Sequence, residues 1–218
     1  METFAAPATA PQGKVLAALD WAYSTTLEGF KGVDSALEMA EEYLQTAGSL
    51  KDQANRLIRW QVTKAGTSGF LTGLGGLIVM PVTIPANVAS VMFVQIRMIN
   101  AVAIMGGHNV RSDRVKALVY ACLTGNAIKD VLKDAGIVVG TKIASKSIEN
   151  ISGKTIVAIN QKIGFRLVTK FGERGVINLG KAVPLLGGII GGTIDATTTN
   201  VIGNVARNTF IEGVVGDA

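Results

Sequence analysis

The chain has 218 residues, of which 48% are hydrophobic and only 6% aromatic, with 26 glycines, one cysteine and a formal net charge of +5. That length supports one substantial core or two small ones. The lone Cys122 excludes an intrachain disulfide and any cysteine-rich zinc motif, and the shortage of aromatics among the bases argues against nucleic acid as a partner.

Charge is unevenly spread. Residues 1–48 carry net −5, residues 49–128 net +6, residues 129–181 net +6 and residues 182–218 net −2. An acidic N-terminal part either docks against the basic middle or leaves that middle to meet an anionic partner. Residues 1–12 are rich in Ala and Pro and are expected to form a disordered tail, with 13–218 as a single domain. No basic n-region and no long apolar h-region precede that domain, so a secretory signal is not expected, and the cytoplasm is the default compartment.

Periodicity is helical almost throughout. Val33, Ala36, Leu37, Ala40, Leu44 and Ala47 recur at i, i+3, i+4 and i+7, with Asp34, Glu38, Glu41 and Glu42 on the other side. Ser49 is placed as an N-cap for a helix that buries Leu50, Ala54, Leu57 and Ile58 and exposes Lys51, Arg56 and Arg59. Then comes a run of 32 residues, 65–96, without a formal charge. Pro81 and Pro85 divide it. The first arm, 65–80, would be roughly 24 Å long as a helix, short of the roughly 30 Å of a bilayer core. The second, 85–105, is long enough but carries Arg97 near its middle, which costs roughly 3 kcal/mol or more in a membrane. The expectation is therefore an all-α, single-domain helical bundle built around a central Gly-rich hydrophobic helical hairpin.

Gly106 and Gly107 should stop the second arm. Ser112 caps a helix ending near Gly125, and further helices are predicted at about 125–135, 137–150, 152–170 and 185–212. Gly136-Ile-Val-Val-Gly140 could be helix or strand. Val62–Gly69 and Val168–Gly175 share Val-Thr-Lys-x-Gly-x-x-Gly, which marks either an internal duplication or coincidence in a glycine-rich chain.

Few side chains invite chemistry. Gly73-Leu-Gly75-Gly76 lacks the Lys-Ser/Thr of a phosphate loop and follows a helix rather than a strand. Gly69, Gly73, Gly76, Gly188 and Gly191 are better suited to close helix packing. His108, the only histidine, has no second ligand or nucleophile near it in sequence, and Cys122 falls on an apolar helix face, where a thiol is inert. Neither a cofactor nor a metal site is expected. Arg97 and Asp195 are each the lone charge of an apolar segment. Isolated buried charges are costly, so the two are expected to pair as a buried ion pair. Lys142, Lys146, Lys154, Lys162, Arg166 and Lys170 recur at intervals of four or eight, which would set them on one side of their helices.

Trp60-Gln-x-x-Lys64, Gly69-Phe-Leu-Thr-Gly-Leu-Gly-Gly76, Pro81-Val-Thr-Ile-Pro-Ala86, Gln95-Ile-Arg-Met-Ile99 and Thr169-Lys-Phe-Gly-Glu-Arg-Gly175 together resemble the EcsC protein family over about 15–212. The resemblance implies a bacterial, hydrophobic, cytoplasmic or membrane-associated protein, and it brings no catalytic residues. The resulting expectation is a non-enzymatic protein, peripheral at the inner membrane, whose basic helical face binds anionic lipid. Three rival readings remain: a soluble scaffold for a protein partner such as a transporter component, a pore-former that shelters its hydrophobic hairpin and, last, an enzyme. The oligomeric state is left open.

Overall fold

The computed structural model describes residues 10–29, 32–65, 86–137, 148–171 and 187–212. Among these, eight α-helices occur: α1 (Ala10–Glu28), α2 (Ala36–Leu44), α3 (Leu50–Ala65), α4 (Ala86–Met105), α5 (Asp113–Cys122), α6 (Ile128–Asp134), α7 (Gly153–Phe171) and α8 (Gly187–Phe210). A 3₁₀ turn, Gly125–Ala127, leads into α6. Apart from an isolated bridge residue at Val33, no strand occurs among the described residues, so the protein is all-α.

Helix α4 is the axis of the bundle. Every side chain from Met92 to Ala103 is buried, and α1, α2, α3, α5 and α8 all pack against it. Its end follows from backbone chemistry. Gly107 adopts φ +78°, His108 N–H donates to the Ala103 carbonyl at 3.0 Å and Gly107 N–H to the Ile104 carbonyl at 2.9 Å. This pair of bonds satisfies the last carbonyls and needs a left-handed residue, which glycine supplies without strain. The same device ends α6, where Gly136 has φ +81° and Ile137 N–H reaches the Leu132 carbonyl at 2.9 Å. The first residue of the ambiguous 136–140 segment is thus a helix terminator, while 138–140 lie outside the described residues.

Serines start several of the helices. Ser112 Oγ accepts from Val115 N–H at 3.2 Å. Ser49 Oγ accepts from Asp52 N–H at 3.2 Å while the Asp52 carboxylate accepts from Ser49 N–H at 3.1 Å. Ser35 and Glu38 form the same reciprocal box at the head of α2. That box makes α2 shorter than the 33–47 periodicity predicts, and its buried side differs too. Ala36, Met39 and Ala40 are buried, whereas Leu37 and Leu44 are 50% and 41% exposed. The two alanines let the α2 backbone approach α4 closely, and Met39 fills the remaining space, which leaves the leucines at the rim. Helix α1 begins at Ala10, inside the stretch expected to be tail, with Pro11 in its first turn, where a missing N–H costs nothing.

Helices α4 and α8 run parallel in a fixed register. Gln95 meets Thr199, Met98 meets Gly203 and Gly106 meets Phe210. The contact at Gly203 requires glycine, because a Cβ there would stand 2.6 Å from Ile58 Cγ2 and 3.2 Å from Met98 Sδ. At Gly106 a Cβ would collide with the Phe210 carbonyl. Residues 66–85, and with them the first arm of the expected hairpin, lie outside the described residues.

Candidate functional site

Helix α7 forms one flank of the molecule, packed on α1, α5 and α6. Ser152 caps it, its Oγ accepting from Thr155 N–H at 3.2 Å, and Arg114 Nε fixes its approach by donating to the Ile151 carbonyl at 2.9 Å. Ile159, Ile163 and Leu167 form its buried stripe. The i, i+4, i+8 spacing of that stripe leaves the opposite side to solvent. Lys154, Val157, Lys162 and Phe165 are exposed there.

The bases of this flank have acidic neighbours. Lys162 Nζ lies 3.2 Å from Asp134 Oδ2 and Arg166 Nη2 lies 3.6 Å from Asp130 Oδ2. All four side chains are between 37% and 69% exposed, so the two pairs contribute little to stability. They also leave a charge excess. Helix α7 carries Lys154, Lys162, Arg166 and Lys170 with no acid, and α6 carries Lys129 and Lys133 against Asp130 and Asp134, so six bases less two acids give +4 for the two helices. Lys142 and Lys146 fall outside the described residues, as does the side chain of Lys170, so the full stripe expected from the sequence is seen only at Lys154, Lys162 and Arg166.

Arg97 is 3% exposed. Its Nη1 donates to the Asp34 carbonyl at 3.0 Å, its guanidinium stands 5.8 Å from the Phe93 ring centre, and its Nε has no hydrogen-bond partner among the described residues. Burial, opposed by the nearby Asp34, lowers its pKa. Asp195 lies on α8, but its side chain falls outside the described residues, so the expected pair is not placed. Two further polar contacts cross the core: Asn100 Nδ2 to Thr26 Oγ1 at 2.9 Å and Gln95 Nε2 to Thr199 Oγ1 at 3.2 Å. Gly69, Gly73 and Gly76 lie outside the described residues. Gly188 and Gly191 sit on the α8 backbone, and their neighbours are not described. Gly203, which the sequence reading passed over, is a close-packing glycine; it stands between Val201-Ile202 and Asn204, so no apolar run marked it.

A second polar cluster clasps α1 to α5. Tyr120 OH donates to Asp20 Oδ1 at 2.8 Å, and Lys116 Nζ lies 2.8 Å from the same oxygen. Tyr23 OH donates to the Val110 carbonyl at 2.5 Å, and its ring meets Tyr120 edge-on at 5.6 Å. Burial raises both phenol pKa values, so both remain donors and neither becomes a base. Cys122 is fully buried, and burial pushes its thiol up to about 12, which suppresses the thiolate. His108 Nε2 is 2.9 Å from the Phe210 carbonyl and its ring packs edge-on against Phe210. Among the described residues, no group of three or more His, Cys, Asp or Glu side chains is placed to hold a metal ion, and no helix is long and apolar enough to cross a membrane.

These helices, caps and contacts fall within one sequence pattern, that of the EcsC protein family, whose profile matches residues 9–211. The chain belongs to the EcsC protein family. Neither a curated protein nor a solved structure gives a significant match to this EcsC-family chain.

Proposed function

We propose that this protein is a non-enzymatic, peripheral membrane protein that binds anionic lipid at the cytoplasmic face of the inner membrane through the flank formed by α6 and α7. The observation that carries this reading is the charge excess of +4 on that helix pair, with no acid anywhere on α7. Each base near an anionic surface contributes about 1 kcal/mol, so a few suffice for reversible attachment. Two of the bases already face carboxylates, but those carboxylates are exposed and the pairs are weak. They exchange readily for lipid phosphates.

Sedimentation with vesicles tests this. Phosphatidylglycerol vesicles should carry the protein down at low salt, and neutral phosphatidylcholine vesicles should not. Binding should weaken above about 0.15 M salt, where the screening length falls to about 8 Å. Lys146→Glu, Lys154→Glu and Lys162→Glu combined should abolish it with the helical signal intact. Unchanged binding by the triple variant would remove the basic flank as the cause.

A further inference from the structure

We infer that Phe165 and Val157 form a shallow apolar wedge on α7 that enters the interface of an anionic bilayer. The inference rests on the membrane reading above and adds to it a second, non-ionic contact. Phe165 is 59% exposed and Val157 47% exposed. Both lie on the side of α7 away from the buried Ile159 and Ile163, and Phe165 is turned about 200° from Ile163 at about 100° per residue. Lys154, eleven residues before Phe165, continues the same outward stripe.

An outermost position on a solvated helix normally carries a polar residue, and a phenylalanine there keeps a large apolar surface in water. Four other aromatics show ways in which such rings are covered. Trp60, 50% exposed, has Lys64 Nζ 5.2 Å from its ring centre; Tyr23 packs on Tyr120, and Phe210 on His108. Among the described residues, Phe165 has neither a ring partner nor a cation above it.

The surroundings of the ring select the occupant. Lys154 precedes it and Lys162 lies one turn away, both exposed, and α7 has no acid. Apolar side chains at the centre with long basic side chains beside them suit a surface with phosphates outside and acyl chains beneath. The rings and branched side chains sink to the acyl boundary while the lysine ammonium groups remain at the headgroups.

The test uses the full chain with Cys122→Ser and Phe165→Cys, labelled at position 165 with an environment-sensitive nitrobenzoxadiazole dye. Phosphatidylglycerol–phosphatidylcholine vesicles should shift its emission to the blue, and spin-labelled acyl chains should quench it. The same dye at Thr63→Cys, an exposed position of α3, should not respond. Unlabelled Phe165→Ser should bind these vesicles about tenfold more weakly, with an unchanged helical signal, and its remaining binding should vanish at high salt. A dye that stays in water on bound vesicles, together with full affinity of Phe165→Ser, overturns the wedge and leaves the lipid reading standing. Failure of the wild-type protein to bind anionic vesicles at low salt overturns both. A blue shift that grows with protein concentration in the absence of vesicles assigns the face to a second copy of the chain and overturns the wedge.

Discussion

Gln95 and Arg97 stand two residues apart on α4 and serve opposite neighbours. Gln95 Nε2 donates to Thr199 Oγ1 on α8, at 3.2 Å, and Arg97 Nη1 donates to the Asp34 carbonyl at the head of α2, at 3.0 Å. Two residues turn a helix by about 200°, so one polar side chain leaves each side of the axis. A helix surrounded by neighbours has no solvent side to which it can consign polar groups. Each therefore requires its own partner in a different packing layer.

This arrangement separates the packing of Arg97 from its charge. Among the described residues its Nε is without a partner and its one hydrogen-bond acceptor is the neutral Asp34 carbonyl, so the charge gains little from them. Arg97→Ala should lose about 2–5 kcal/mol, as large-to-small core changes do. Arg97→Met keeps the stem and removes the desolvated charge, and should fall within about 1 kcal/mol of wild type or be more stable. Urea unfolding distinguishes them. Equal losses in the two variants would mean that a carboxylate partner compensates the charge, and Asp195 would be the next residue to vary.

Gly203 should be intolerant of the smallest side chain. Alanine has the better helix propensity by about 1 kcal/mol, but its Cβ would meet Ile58 Cγ2 at 2.6 Å. Overpacking of this kind costs about 1–3 kcal/mol, so Gly203→Ala should lower the thermal midpoint. Combining it with Ile58→Ala should cost less than the sum of the two single changes. An additive pair would show that the loss does not come from contact with Ile58.

How much of this was legible in the sequence depends on the range of the interaction. Ser49, Ser112 and Gly106–Gly107 were readable because capping is settled within a few residues. Helix α1 was not, although Ala18, Leu19, Ala22, Tyr23 and Thr26 are buried at helical spacing, because a polar Thr26 closes the stripe and the apolar Leu16, Ala17 and Trp21 lie beside it, which blurs the contrast in the sequence. The isolation of Arg97 signals burial, but a carbonyl acceptor 63 residues away has no side-chain signature. Lys162 and Arg166 showed their spacing of four. Asp130 and Asp134 repeat that spacing, and matching the two would have predicted the α6–α7 ion pairs.

Stability should fall in acid through two capping boxes. Hydrogen bonds from Ser35 hold the Glu38 carboxyl below its ordinary value of 4.5, and hydrogen bonds from Ser49 hold Asp52 below 3.8. A depressed folded-state pKa gives stability that is complete above the unfolded value and is lost as pH falls through the folded one. The contribution is thus present above about pH 5 and declines below about pH 4.5. Glu38→Gln with Asp52→Asn should flatten the urea midpoint between about pH 5 and about pH 3. A wild-type slope retained by the double variant would assign the acid sensitivity to other carboxylates.

Cys122 should report on opening of the core. With its thiol pushed up to about 12, only about one molecule in ten thousand would carry the thiolate at pH 8, the nucleophilic form. Burial also denies the reagent access. Dithiobis(nitrobenzoate) should therefore modify no thiol in the native protein over minutes, and one per chain in urea. Rapid native modification would show that α5 and α8 separate readily in solution.

The α6 carboxylates set the strength of the basic flank. Asp130→Asn with Asp134→Asn removes the groups 3.6 Å from Arg166 and 3.2 Å from Lys162 and raises the helix-pair charge from +4 to +6. Exposed pairs are worth about 0–1 kcal/mol each, so unfolding should change by no more than about 2 kcal/mol. Affinity for phosphatidylglycerol vesicles should rise by about tenfold at low salt, with the gain shrinking as salt screens the added charge. A loss of stability without a gain in vesicle affinity would show that Asp130 and Asp134 hold α7 in place and do not restrain its bases. The membrane would then contact another surface of the bundle.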